Sequence, residues 1–209
     1  MAIVRVARHG ESTWNRLGRY QGRRDADLSP LGRVQSQSLA AALHDAGIER
    51  IVTSPLQRAV LTARPLAELL GVTPELDAAA IEIAHGTWEG RYREEIAEND
   101  PERYHLWRER PELVAFEFGE TVLEVLERWR RFAARFDAGR DALIVTHDVV
   151  VRLAILDSTG RGAAQLWQPR VVNAGYAEFR VEGERWELLR ECVDGHLAGC
   201  TADLPGQAL

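Results

Sequence analysis

The chain has 209 residues, of which 45% are hydrophobic and 28% are charged, and its formal net charge is −6. This size and balance are typical of one globular domain, and the negative charge gives no reason to expect a nucleic acid or an anionic membrane as a partner. All 26 basic residues are arginine, which excludes a lysine Schiff base and a lysine-containing phosphate-binding loop.

The sequence shows no signal for export or for membrane insertion. No apolar run of signal-peptide length precedes Arg8, and no stretch of about 18 apolar residues occurs. Cys192 and Cys200 give no disulfide framework, so we expect a cytoplasmic protein. Together with His196 they would leave a zinc site one ligand short, so we expect no metal there.

The N-terminal half predicts strands that alternate with helices. Residues 3–7 alternate as a half-buried strand does, and Arg8-His9-Gly10 follows where that strand ends. Capping and turn residues then predict, in chain order, a loop with a short helix over 11–30, a helix from Ser29-Pro30 to about Asp45, a strand over 50–53, a helix from Ser54-Pro55 to Gly71 and a strand over 72–76.

The C-terminal half contains one less regular region. We interpret residues 77–120 as an insertion that walls a pocket, because short helical pieces and aromatic residues alternate there without a clear period. The elements predicted in this half are helical pieces over 94–99 and 101–110, a helix over 121–137, an apolar central strand over 141–146, a helix over 149–158, strands over 173–181 and 186–192, and a tail over 193–209. Residues 1–209 are thus predicted to form a single domain with an inserted cap.

Three of the predicted strands are followed at once by groups that bind anions. The first strand ends in Arg8 and His9, the second leads to Arg58 on a helical turn, and the central strand ends in His147. If the strands are parallel, these groups emerge along one edge of the sheet. Two arginines and two histidines beside a helix N-terminus suit a tetrahedral phosphate. The plainer interpretations are surface arginines and a buried, hydrogen-bonded histidine, but the strand-end positions favour function.

With these motifs in this order, the sequence resembles the histidine phosphatase superfamily, also called the phosphoglycerate-mutase-like family. The resemblance covers nearly the whole chain and implies a three-layer αβα sandwich with a mixed, mostly parallel sheet and a small inserted cap. Six ordered segments carry it: Arg8-His9-Gly10-Glu11-Ser12 with Asn15; Gln21-Gly22 with Leu28-Ser29-Pro30-Leu31-Gly32; Ser54-Pro55-Leu56 with Arg58-Ala59 and Thr62-Ala63; Glu82 with Gly86-Thr87-Trp88-Glu89-Gly90; Gly119-Glu120-Thr121; and Thr146-His147.

The resemblance implies a role for each matching residue. His9 would be the nucleophile that forms a phosphohistidine, and Arg8, Arg58 and His147 would hold the oxygens of the transferred group. Glu82 would protonate the leaving oxygen and then deprotonate the hydrolytic water. The spacing alone does not select this glutamate from its acidic neighbours, which are Glu89, Glu94 and Glu95.

The edge of the implied pocket is polar and uncharged. Asn15 and Gln21, with Gly22 beside them, would bind substrate there as neutral hydrogen-bond donors. The implied chemistry needs no metal and no other cofactor, because the arginines supply the positive charge. The substrate would be a small-molecule phosphate monoester, and the resemblance also implies a homodimer.

The distance along the chain between the acid and the second histidine favours a phosphatase over a mutase. The phosphoglycerate mutases of this family carry a longer insertion there, with basic residues that hold the substrate carboxylate and a bisphosphate cofactor. Here His147 lies 65 positions after Glu82, and none of the residues between them is lysine. We therefore expect the phosphohistidine to be hydrolysed.

Position 85 bears on the substrate. Relatives usually have an aromatic residue there, whereas His85 in the peptide at 82–86 is similar to the metal-independent phosphoserine phosphatases of this superfamily. In that subgroup the histidine and the C-terminal tail contact the amino acid end of the substrate, so L-phosphoserine is the expected substrate. The plainer interpretation is that His85 merely lines the pocket. Phe118 and Asp148 depart from the subgroup's pattern.

Three other functions stay open at this stage. The chain is expected to be a broad-specificity phosphatase of sugar phosphates or phosphoglycerate-type acids if it is not specific for phosphoserine. A mutase comes next, followed by a non-catalytic protein that binds a phosphorylated ligand.

Overall fold

The computed structural model describes residues 1–200, which form six strands and seven α-helices. The strands are β1 (Ala2–Arg8), β2 (Arg50–Thr53), β3 (Glu75–Leu76), β4 (Ala142–Thr146), β5 (Tyr176–Glu182) and β6 (Arg185–Val193). The helices are α1 (Thr13–Arg16), α2 (Pro30–Leu43), α3 (Gln57–Leu70), α4 (Arg93–Asn99), α5 (Pro101–Glu109), α6 (Val122–Ala134) and α7 (Asp148–Ser158).

The strands form one mixed sheet in the order β3-β2-β4-β1-β5-β6. The first four are parallel, and β5 and β6 extend the sheet in antiparallel fashion. At the carboxyl edge, Arg8 pairs with Thr146 and Thr53 pairs with Val145. The residues that follow β1, β2 and β4 therefore emerge side by side.

Helices cover both faces of the sheet, because its strands are apolar on both sides. Ala7, Ile51 and Leu143 belong to the core beneath α2 and α3. Val6 and Ile144 point to the opposite face and belong to the larger core beneath α6 and α7. This is the three-layer sandwich that the resemblance implies.

Two elements near the N-terminal half differ from their prediction. The strand predicted over 72–76 pairs at Glu75–Leu76 alone, because the amide of Val72 caps α3 by donating to Ala67 and Pro74 has no amide to donate. The helix predicted from Ser54 begins at Gln57. Offsets of the same three residues occur where α6 ends at Ala134 and where β5 begins at Tyr176, and the remaining predicted bounds agree to within two residues.

The region predicted as a cap lies between β3 and α6 and contains α4, α5 and short 3₁₀ turns. Trp88 and Trp107 are buried there. The first part of the predicted tail packs against α2, where the Gln35 side chain donates to the carbonyl of Cys200 at 3.0 Å. Residues 201–209 of that tail lie outside the described residues. Within residues 1–200, no helix is long and apolar enough to cross a bilayer.

Candidate active site

The two histidines of the sequence motifs meet at the carboxyl edge of the sheet. The amide of His9 donates to the carbonyl of Thr146 at 2.9 Å, so the pairing of β1 with β4 continues one residue beyond the strands. The rings of His9 and His147 have their centroids 5.1 Å apart, at an angle of 63°. The spacing argument from the strand ends therefore predicts the position of both.

The hydrogen bonds of the His9 ring identify Nε2 as its unprotonated nitrogen. Its Nδ1 lies 2.7 Å from the carbonyl oxygen of Gly10, which can only accept, so Nδ1 carries the proton. Burial, followed by the charges of Arg58 and Arg8, holds the pKa of His9 well below its usual range. The ring is therefore neutral at pH 7, with its lone pair on Nε2.

Arg58 lies directly against that lone pair. Its Nε donates to Nε2 of His9 at 3.2 Å, and its two terminal nitrogens donate to the carbonyls of Gly22 at 2.8 Å and Arg24 at 3.0 Å. Burial lowers the pKa of Arg58 to about 10, which leaves it charged at neutral pH. Thr62, one turn along α3, ties this helix to the Gly10 amide at 2.9 Å.

Arg8 is the second buried cation of the site. Its side chain is 5% exposed and its Nη1 lies 3.1 Å from a carboxylate oxygen of Asp148. Burial lowers the pKa of Arg8, and the Asp148 carboxylate opposes that change. Its Nε is buried and has no hydrogen-bond partner within residues 1–200.

His147 is held from its far side by Ser54. The Ser54 hydroxyl lies 2.7 Å from Nε2 of His147. The sequence predicts that Ser54 caps α3, but in the structure its side chain forms a hydrogen bond with this histidine. Burial, followed by the charge of Arg58, holds the pKa of His147 well below its usual range. Its Nδ1 is buried without a partner among the described residues, and a ligand oxygen would satisfy it.

Glu82 is a buried acid at the same site. Its side chain accepts a hydrogen bond from the amide of Ile83 at 2.9 Å, and burial raises its pKa to about 7. A carboxyl group with this pKa can both donate and accept a proton at neutral pH. The pKa of Glu82 also responds to the charges of Asp148 and Arg58, which places it in the same electrostatic cluster.

The structure separates Glu82 from the three neighbouring acids that the spacing leaves open. Glu89 accepts hydrogen bonds from two backbone amides, at 3.0 and 3.1 Å, and so joins two loops. Glu94 and Glu95 are exposed on α4. Among these four, Glu82 is the buried carboxyl group whose pKa is raised.

The neutral residues predicted to line the pocket edge are buried around Ser12. Asn15 is the N3 residue of the capping box that begins α1, and its Oδ1 accepts from the Ser12 amide at 3.1 Å. The Ser12 hydroxyl lies 2.7 Å from Oε1 of Gln21, so the amide nitrogen of Gln21 is the end that can donate to an anion. Gly22, at φ +53°, leaves no room for a Cβ because Glu89 lies against it.

His85 lies in an aromatic cage. Its ring contacts Tyr20, Trp107 and Phe116 edge to face, with centroids 4.9 to 5.6 Å apart. Burial lowers its pKa to about 3, so the ring is neutral. Both ring nitrogens are buried without a hydrogen-bond partner within residues 1–200, which is unusual for polar groups in a folded protein.

A loop before β5 supports the turn at His9. The amide of Ala174 lies 3.1 Å from the carbonyls of both Arg8 and His9, and the Asn173 side chain donates to the His9 carbonyl at 3.1 Å. Ala174 has a positive φ of 58° and is fully buried. The sequence contains no motif for this contact, because it depends on how β5 lies beside β1.

The three residues weighed as zinc ligands have separate partners. Cys192 lies 3.3 Å from Arg170, His196 bonds the carbonyl of Ala174 at 2.9 Å, and Cys200 lies 4.0 Å from the Ser38 hydroxyl. Within the described range, no group of three or more His, Cys, Asp or Glu side chains is arranged to hold a metal ion.

Taken together, the site offers a neutral imidazole, two buried guanidinium groups and a carboxyl group of near-neutral pKa. The model of one protein family, the histidine phosphatase superfamily (branch 1), matches residues 4–194. The chain belongs to this superfamily. It is a phosphoric monoester hydrolase, as the family and the site chemistry agree.

Its relatives span several phosphatases. The chain is 34% identical over 200 residues to phosphoserine phosphatase 1 of Hydrogenobacter thermophilus, covering 94% of this chain and 95% of that one. It is 31% identical over 190 residues to the adenosylcobalamin/alpha-ribazole phosphatase of Salmonella typhimurium, covering 90% and 89%.

Solved structures agree on the fold. YhfR of Bacillus stearothermophilus matches with a TM-score of 0.88 and 28% identity, over 94% of this chain and 100% of that one. The mycobacterial glucosyl-3-phosphoglycerate phosphatase Rv2419c, solved as a complex with VO3, matches with a TM-score of 0.83 and 27% identity, over 91% and 98%.

Proposed function

We propose that this protein hydrolyses L-phosphoserine to serine and inorganic phosphate through a phosphohistidine on His9. The main support for this type of reaction is the orientation of His9. Its protonated Nδ1 donates to the carbonyl of Gly10, and its Nε2 accepts a hydrogen bond from Arg58 at 3.2 Å. The first step needs a neutral nitrogen beside a cation that binds the attacked group, and this pair supplies both.

In the first half-reaction, Nε2 of His9 attacks phosphorus and the bond to the substrate oxygen breaks. Arg8, Arg58 and the buried Nδ1 of His147 hold the oxygens of the transferred group, while Glu82 gives its proton to the leaving oxygen. The pKa of about 7 at Glu82 allows this donation near neutral pH. The products of this step are serine and a phosphohistidine.

In the second half-reaction, water attacks the phosphohistidine. Glu82, now a carboxylate, takes a proton from that water, and the bond between phosphorus and Nε2 breaks to release phosphate. His9 and Glu82 return to their starting states. The scheme needs no metal, since Arg8 and Arg58 supply the positive charge.

The choice of phosphoserine rests on two supports. One is the relative named phosphoserine phosphatase 1, at 34% identity over 94% of this chain. The other is His85, a buried imidazole three positions after Glu82 whose two nitrogens have no hydrogen-bond partner within residues 1–200. Other relatives are named for ribazole and glucosyl-phosphoglycerate substrates, which favours a broad-specificity phosphatase as the second candidate. On the resemblance alone we also propose a cytoplasmic homodimer.

Phosphate release in excess EDTA tests the substrate. We expect L-phosphoserine to be preferred by a hundredfold or more over 3-phosphoglycerate, phosphothreonine, sugar phosphates and an aryl phosphate, which corresponds to about 2.7 kcal/mol of transition-state discrimination. Low activity of similar size on all of them would support broad specificity. Transfer of phosphate between glycerate positions without its release would identify a mutase.

His85→Phe tests the specificity role. We expect kcat/KM for phosphoserine to fall about tenfold or more, because phenylalanine cannot donate a hydrogen bond to the substrate carboxylate. An aryl phosphate, which has no carboxylate, is expected to change less than about threefold. Tyr20→Phe, which removes a hydroxyl from the same cage, is the matched control. An equal loss on both substrates would contradict a specificity role.

A further inference from the structure

One carboxylate lies within the cluster of basic groups that the proposed reaction uses. Asp148 is the first residue of α7, follows His147 directly and is 1% exposed. Resting on the proposed phosphatase function, we propose that Asp148 is a positioning residue that fixes the Arg8 guanidinium before the phosphoryl group arrives.

The contacts of Asp148 fix its carboxylate between two arginines. One oxygen lies 3.1 Å from Nη1 of Arg8 and 3.3 Å from Nη2 of Arg152, and the other lies 2.5 Å from Nε of Arg152. Arg152 is four residues further along α7, so its fork reaches back over one helical turn. Because both oxygens of Asp148 are engaged by Arg152, the oxygen that Arg8 meets cannot rotate away.

Arg152 is in turn held by the loop between α7 and β5, which contacts the cap region. One of its terminal nitrogens donates to the carbonyl of Pro169, and its guanidinium lies 5.2 Å from the ring centroid of Trp167. The Trp167 indole nitrogen donates to the carbonyl of Trp107 in α5 at 2.8 Å. The position of Asp148 is therefore tied to the cap as well as to the helix.

A carboxylate at this place is difficult to explain by substrate affinity. It lies against a cation that would bind a phosphate dianion, and like charges repel. The N-terminus of α7 stabilises the negative charge of Asp148. A carboxylate on the exposed side of that terminus would gain the same stabilisation without repelling the substrate. Arg8, whose Nε has no partner in the described part of the chain, gains a fixed orientation from the pair. Fixing a cation in advance lowers the reorganisation needed in the transition state.

The charge of Asp148 also reaches Glu82. Burial is the largest cause of the raised pKa of Glu82; the Asp148 carboxylate raises it further, while the Ile83 amide and the charges of Arg58 and Arg128 lower it. Removal of the Asp148 charge therefore lowers the pKa of Glu82. In a pH profile, the loss of activity on the basic side then begins at a lower pH, because Glu82 must be protonated to act as the acid.

Asp148→Asn, with Asp157→Asn as the matched control, tests the inference. Asp157 lies on the same helix and pairs with Arg130 at 2.8 Å, away from the site. We expect Asp148→Asn to lower kcat about tenfold or more, to change KM less than about threefold, and to move the basic limb of kcat/KM to lower pH. Asp157→Asn is expected to leave all three unchanged.

A second variant covers the case in which Asp148→Asn does not fold. Arg152→Gln keeps the charge of Asp148 but removes its anchor, so kcat should fall while the basic limb stays in place. The inference is overturned if the wild-type enzyme is active and either Asp148→Asn matches Asp157→Asn or a folded Arg152→Gln keeps its full kcat. A wild-type enzyme that releases no phosphate from any substrate would instead refute the proposed function, and the inference with it.

Discussion

His9→Ala is expected to lower phosphate release by on the order of 10⁴-fold or more, because the variant has no nitrogen to attack phosphorus. The wild-type enzyme, quenched in alkali during turnover, should carry phosphate on His9, since the phosphorus–nitrogen bond survives base and breaks in acid. Mass spectrometry of the tryptic or chymotryptic peptide that contains residue 9 would detect it.

The matched control for this prediction is His44→Ala. His44 is exposed and lies next to Asp45, so its loss should change the rate little. His9→Ala should still bind orthovanadate, because Arg8, Arg58 and His147 remain. Substantial activity in His9→Ala would remove the nucleophile assignment, and an inactive wild type that binds phosphorylated ligands would instead support the binding-protein interpretation.

The position of His9 also shows how much the sequence can predict. Arg8-His9 and His147 follow apolar strands, and parallel strands bring their carboxyl ends to one edge, so their meeting could be predicted without coordinates. Arg58 could be predicted for the same reason, since β2 leads directly into α3. The strand order β2-β4-β1 then places all of them together.

The partners of these groups could not be predicted, because they depend on side chains that meet across the fold. The sequence predicts that Ser54 caps a helix, but its hydroxyl lies 2.7 Å from Nε2 of His147. Asp148 reads as a helix-terminal acid but pairs with Arg8. Asn173 carries no motif at all, yet it holds the His9 carbonyl. The local sequence pattern does not show whether a side chain will bond to a residue nearby in the sequence or to one that only the fold brings close.

Glu82 falls between these two cases. Its sequence context contains Glu89, Glu94 and Glu95, and spacing alone does not choose among them. Burial distinguishes Glu82 from the other three glutamates, because it disfavours the charged carboxylate and raises the pKa of Glu82 to about 7. The proposed acid is therefore protonated below that pH and charged above it, so kcat/KM should fall as the pH rises past about 7.

Glu82→Gln is expected to lower kcat/KM for phosphoserine about 10²- to 10⁴-fold, because the glutamine amide has no acidic proton to transfer to a poor leaving group. The basic limb of the profile should vanish with it. An aryl phosphate, whose leaving group needs no proton, should lose less than about tenfold in kcat/KM. Glu94→Gln, a change at an exposed glutamate paired with Arg93, is the control.

The same variant separates the two roles of Glu82. With the aryl substrate, Glu82→Gln should release about one equivalent of phenol rapidly and then turn over slowly, because water attack on the phosphohistidine still lacks a base. Stopped-flow absorbance would record that burst. An equal loss on both substrates, with the basic limb retained, would contradict the assignment and return the acid role to another group. A selective loss together with a burst requires one residue that serves both half-reactions, and a buried carboxyl group with a near-neutral pKa is suited to do so.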